Sequence, residues 1–116
     1  MKNYNILKIN NEPRVELHET LNLTGAEISI NNLAPNAFVP FVHAHKENEE
    51  IYIITSGSGY VEIDNEKVEV EANTVIKICP NAKRQFFAKE NGLSYICIQV
   101  KSNSLEQYTQ TDAIIY

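Results

Sequence analysis

The sequence predicts an all-β fold, a sandwich or barrel built as a single domain over residues 1–116. Three observations predict it. Short runs of β-branched and aromatic residues alternate with polar ones along nearly the whole chain. Turn-forming residues interrupt these runs every eight to twelve residues or so, the rhythm of antiparallel sheets. The 116 residues are 43% hydrophobic, enough for one core and too few for two.

Each element has its own signal. Arg14 to His18 alternates, and Gly25 to Asn31 places Ile28 and Ile30 on one face. Leu33 to Asn36 is a turn cluster. Phe38 to His45 reads as a strand interrupted by Pro40, hence an edge or a bend. Glu50 to Thr55 is strand-like, and Ser56 to Gly59 reads as a glycine turn into a strand from Tyr60 to Ile63. Asp64-Asn65-Glu66 is a hairpin turn, since Asp and Asn tolerate left-handed backbone. Val68 to Glu71 returns from it, and the acidic residues Glu62, Asp64, Glu69 and Glu71 read as a solvated face. Thr74 to Cys79, Arg84 to Ala88 and Ser94 to Lys101 are the remaining strands. Only Leu17–Leu23 and Ser104–Tyr108 are candidates for short helical turns. The apolar end of the tail, Ala113 to Tyr116, is expected to dock on the barrel or on a second subunit.

Charge narrows the partners. The net charge is −5 and the acidic residues are scattered, which argues against nucleic acid and anionic membranes. The N-terminus has no apolar leader-like segment, and no run approaches membrane-spanning length. Cys79 and Cys97 fall in predicted strands and read as reduced, buried thiols, which implies the cytoplasm.

The chemistry concentrates between Pro40 and Gly57. His43 and His45 lie two apart on a strand and so aim their imidazoles at one point. Glu50 opens the next strand and can bring a carboxylate there, giving two nitrogens and one oxygen suited to a transition metal. His18, the third histidine, lies outside this group and reads as structural or exposed. Tyr95, Cys97 and Gln99 share one strand face and could line a pocket; Ile96, Ile98 and Val100 share the other.

The spacing His43-x-His45, four residues, Glu50, six residues, Gly57 resembles the first motif of the cupin superfamily. The resemblance covers about Leu33 to Lys101 and implies a small antiparallel double-stranded β-helix, a jelly-roll-like barrel with a divalent metal in its mouth. The step of six to the glycine selects Glu50 over Glu49 as the ligand, leaving Glu49 solvated or facing a small-molecule ligand. Ala37 stands where the family motif usually opens on glycine.

The second family motif is altered. Pro80 matches its proline, Ala82 replaces a glycine, Asn73 takes the leading glycine's place, and Gln85 stands where a third histidine ligand belongs. A second register puts Arg84 at that place; the register that keeps the proline favours Gln85. The implied metal set is therefore His43, His45, Glu50 and Gln85, suited to Fe, Mn, Ni, Co or Zn. Glu49, Tyr52, Arg84 and Tyr95 are the residues expected to meet a ligand. An Arg at the site would repel a cation and attract a carboxylate or phosphate.

Two functions compete. One is a metal-dependent enzyme on a small organic substrate, of dioxygenase, isomerase or decarboxylase type; the missing imidazole weakens it. The other is a non-catalytic binding module for a sugar or small carboxylate. A scaffold with a decayed site is the blandest alternative. No helix-turn-helix accompanies the barrel, so direct DNA control is not expected. The resemblance also implies a homodimer that uses the N-terminal strand and the C-terminal tail.

Overall fold

The structure, a computed structural model, describes residues 2–116. Six strands form one antiparallel sheet: β1 (Arg14–Glu16), β2 (Glu27–Leu33), β3 (Asn48–Ile63), β4 (Glu66–Glu71), β5 (Val75–Ile78) and β6 (Arg84–Lys101). A single helical turn, α1 (Thr109–Asp112), follows. The sheet order is β1-β2-β6-β3-β4, with β5 also on β3. No helix among the described residues is long and apolar enough to cross a membrane.

Two long strands organise the molecule. β3 pairs along almost its whole length with β6, and the ladder shifts register between Ile54 and Ser56 and between Gly57 and Gly59. Ser56 to Gly59 is thus a bulged bend inside one strand, not a turn between two. Gly57 has φ +79°, and a Cβ there would lie 2.0 Å from the Gly92 carbonyl oxygen. Only glycine lets the two chains cross so closely. β6 likewise runs unbroken through Gly92, so the two strands expected at Arg84–Ala88 and Ser94–Lys101 are one. Its halves fold toward each other, because Phe86 stacks on Tyr95 with centroids 4.7 Å apart. That fold-back closes the sheet around its own side chains.

The hairpin at Asp64-Asn65 has both residues at positive φ, 48° and 71°, and joins β3 to β4. Asn73 also adopts positive φ, 74°. Phe38 to His45 does not form a regular strand. It makes single bridges, Phe38 to Phe87 and His43 to Arg84, on either side of Pro40, which has no N–H to give the ladder. The expected turn at Ser104–Tyr108 is displaced to α1.

The core contains Tyr52, Ile54, Val61, Val70, Ile78, Phe86, Leu93, Tyr95 and Cys97. β2 turns Ser29 and Asn31 inward, 3% and 4% exposed, and leaves Ile28 and Ile30 half-buried on its other face. Cys97 is buried as expected, but Cys79 lies just beyond β5 and is exposed; both are free thiols.

Candidate metal centre

Strand alternation places the carboxylate. In β3, Glu50, Tyr52 and Ile54 are buried while Glu49, Ile51 and Ile53 are only half-buried. Glu50 is 4% exposed and Glu49 projects from the opposite face, away from the cavity described below. The segment carrying the histidines is tied to β6. His43 and Arg84 exchange two backbone hydrogen bonds, His43 N–H to Arg84 O at 3.1 Å and Arg84 N–H to His43 O at 2.9 Å. His45 N–H donates to Pro80 O at 2.7 Å. These bonds bring both imidazoles over Glu50.

His43, His45 and Glu50 form a group whose donor atoms all lie within 4.8 Å of one another. His43 Nε2 is 3.4 Å from Glu50 Oε1, and His45 Nε2 is 3.1 Å from Glu50 Oε2. The His45 contact is not aligned as a hydrogen bond, so His45 Nε2 is buried without a partner, as is His43 Nδ1. A buried imidazole nitrogen of this kind lacks a bond that a metal would supply. Two imidazoles and a carboxylate match the mixed N/O shell of first-row divalent metals, so the residues fit such an ion.

Arg84 enters this group from below. Its side chain is fully buried and its Nη1 donates to Glu50 Oε1 at 2.6 Å, while Nη2 donates to Cys79 O at 2.6 Å. Tyr52 O–H also donates to Glu50 Oε1, and Cys97 S–H faces Oε2 at 3.3 Å. Burial works to raise the Glu50 pKa. Bonds from His43, Tyr52 and Cys97 and the nearby His45 outweigh it and hold the carboxyl well below the usual range. Burial, followed by the neighbouring negative charge of Glu50, pushes the Cys97 thiol up to about 12. Burial raises the Tyr52 and Tyr95 phenols as well. The site thus holds one firm carboxylate beside two phenols and a thiol that keep their protons.

Gln85 does not take the place next to Glu50. Its Nε2 donates to Val39 O at 2.7 Å while Arg84, one residue earlier, points at the carboxylate. Arg84 in turn does not line the cavity described below; its guanidinium bonds Glu50 and the carbonyl of Cys79. Parity explains both. Arg84, Phe86 and Ala88 share the inner face of β6, and Gln85 alternates with them. The adjacent pair Phe86-Phe87 hid that parity in the sequence.

Beside the cluster opens a cavity of about 600 Å³, within the size range of small-ligand pockets. His43, His45 and Glu50 form one side; Tyr52, Phe86, Tyr95 and Cys97 line its wall; Gln85 borders it. Arg14, Glu27, Ser29, Asn31 and Gln99 line it too. The β1 and β2 residues are not expected there from the sequence, because β2 reverses the usual pattern: its apolar Ile28 and Ile30 take the outer face and its polar Ser29 and Asn31 turn inward.

The Cupin domain family profile matches residues 30–98, which carry His43, His45, Glu50 and Arg84. The chain belongs to the cupin family. It is 51% identical to a cupin protein from Bacteroides fragilis, covering 100% of this chain and 99% of that one, with a TM-score of 0.96. More distant cupins share the fold. A sugar phosphate isomerase from Silicibacter pomeroyi is 16% identical over 78% of this chain and 60% of that one, with a TM-score of 0.67. A predicted oxalate decarboxylase from Thermotoga maritima is 21% identical over 66% of this chain and 64% of that one, with a TM-score of 0.57. A search of curated proteins finds no match.

Proposed function

We propose that this cupin binds one divalent transition metal through His43, His45 and Glu50 and acts with it on a small organic molecule held in the cavity. The observation that carries the reading is the buried, unpartnered His45 Nε2 facing Glu50 Oε2 beside a second imidazole. A bound metal would supply Lewis-acid polarisation of a ligand oxygen. The chain's own residues would do the rest. Arg84 and Tyr52 occupy Glu50 Oε1 and leave Oε2 turned toward His45, so the carboxylate would donate through one oxygen. The aromatic wall would keep water off the ligand body. Gln85 would stay at the cavity edge, its Nε2 held by Val39 O and its amide oxygen left to accept from the ligand. Isomerisation, decarboxylation and dioxygenation are the candidate reaction types; the first two also appear in the names of proteins that share this fold.

Arg84 favours a second reading. Its guanidinium already neutralises Glu50, and a divalent ion beside it would meet like charge. A metal-free binding module is the consequence if that repulsion wins. Metal content separates the two. Untagged protein reconstituted in turn with Fe, Mn, Co, Ni and Zn is expected to retain close to one equivalent of at least one of them. His45→Ala is expected to lose it. No retained metal from any of the five would sink the metal reading and leave the binding module.

A further inference from the structure

We propose that Arg14 is the anion anchor of the cavity, and that the ligand is a small carboxylic acid with a flat apolar body. Its carboxylate sits on Arg14, and its far end reaches His43, His45 and Glu50. The inference rests on the cavity as a ligand site and not on metal occupancy.

The charges on the cavity wall lead to Arg14. Among the described residues lining the cavity it is the one Lys or Arg. Arg84, the cation expected from the sequence to meet a ligand, is sealed against Glu50. Glu27 is turned to backbone, its Oε1 accepting from His18 N–H at 3.0 Å.

Arg14 is held by a relay rooted in buried side chains of β2. Its Nη1 donates to Asn31 Oδ1 at 2.8 Å, and Asn31 Nδ2 donates to Ser29 Oγ at 3.0 Å. Asn31 and Ser29 are 4% and 3% exposed on the cavity side of β2, where apolar side chains would otherwise stabilise the barrel. Burying two polar side chains there is tolerated because each is hydrogen-bonded, and the chain of bonds ends on the guanidinium. Arg14 stands at the solvent-facing edge of the cavity, and the opposing charge at Nε is slight: Glu16 lies 3.8 Å away, and the two side chains are 56% and 61% exposed. The guanidinium therefore retains donors in a fork that fits a carboxylate.

Register places the ligand body. Arg14 pairs with Asn31, Asn31 with Tyr95, and Tyr95 with Ile54, so guanidinium and phenol share one cross-strand row. Glu50 pairs with Gln99, four residues along β6 from Tyr95, an offset on the order of 13 Å along the strand direction alone. Between the two polar ends stand Tyr52, Phe86 and Tyr95, with Tyr52–Phe86 centroids 4.5 Å apart and Phe86–Tyr95 stacked within 21°. The Tyr52 hydroxyl is already committed to Glu50. A sugar would leave hydroxyls unpaired against this wall, whereas an aryl or similarly flat acid would cover it.

Calorimetry with para-hydroxyphenylacetate and its uncharged amide tests the anchor on wild type, Arg14→Gln and Arg14→Lys. The acid is expected to bind wild type at least about tenfold tighter than the amide. Arg14→Gln should bring the acid down to the amide's affinity without changing the amide, and Arg14→Lys should recover part of the difference. Equal affinity of acid and amide for wild type would overturn the proposal. So would undiminished acid binding by Arg14→Gln, or no acid binding at millimolar concentration. Metal content measured on the same samples keeps the two readings apart. Metal-stripped protein that still prefers the acid supports the anchor, even if no metal ever binds.

Discussion

At the scale of single residues, the Glu50–Arg84 pair governs the site. Both side chains are buried, and removing one partner leaves the other as an uncompensated charge. Arg84→Met is therefore expected to cost about 3 kcal/mol in urea denaturation. Replacing both, Glu50→Leu with Arg84→Met, is expected to recover most of that loss. A cost below about 1 kcal/mol for the single change would show that the pair does not hold the barrel floor. How much of this was legible depended on parity. The six-residue step from Glu50 to Gly57 was enough to choose Glu50 over its neighbour Glu49, and the structure buries Glu50. No such marker separates Arg84 from Gln85. The proline that suggested Gln85 lies in a turn whose length the sequence does not fix. Arg14 was legible only as the start of an alternating strand, because its role depends on pairing with Asn31, seventeen residues away.

At the scale of elements, the long strands β3 and β6 carry the architecture, and their bends were the least legible part. Glycine and polar residues at Ser56–Gly59 and Glu90–Gly92 look like turns, since short-range signals do not distinguish a chain that reverses from one that bends within a continuing ladder. The hairpin at Asp64-Asn65 was legible because its signal is wholly local. Gly57→Ala tests the bend. It combines φ +79° with a 2.0 Å approach to Gly92 O, so a loss of about 2 kcal/mol or more is expected. Gly25→Ala, with nothing within 4 Å of the added carbon, is expected to stay within about 0.5 kcal/mol of wild type. Equal effects at the two positions would mean that the crossing at Gly57 is not tight in solution.

At the scale of the whole molecule, the outer face of the sheet is apolar and only half-buried. One row runs Val15, Ile30, Ile96, Ile53 and Val75; the next runs Ile28, Ile98 and Ile51. Exposed apolar residues near both termini, Ile6 at 87% and Ile115 at 95%, add to the uncovered surface. A single copy leaves this surface to water, and the expected partner is a second copy. Light scattering at micromolar concentration should give about twice the 13.2 kDa chain mass, and Ile98→Glu should shift it to monomer. A wild-type monomer would contradict this arrangement. The all-β class and the motif-bearing barrel were legible from alternation and the histidine spacing. The outer face was legible only as alternation in separate strands, since its continuity comes from register.

In the proposed function His43, His45 and Glu50 close on a metal even though Arg84 already pairs with that carboxylate. Anomalous diffraction at the absorption edge of the retained metal tests it most directly. One peak bonded to both imidazoles and to Glu50 Oε2, with Arg84 still on Oε1, is the expected result. No peak after reconstitution, with both imidazoles hydrogen-bonded to Glu50 or to a ligand instead, would contradict it.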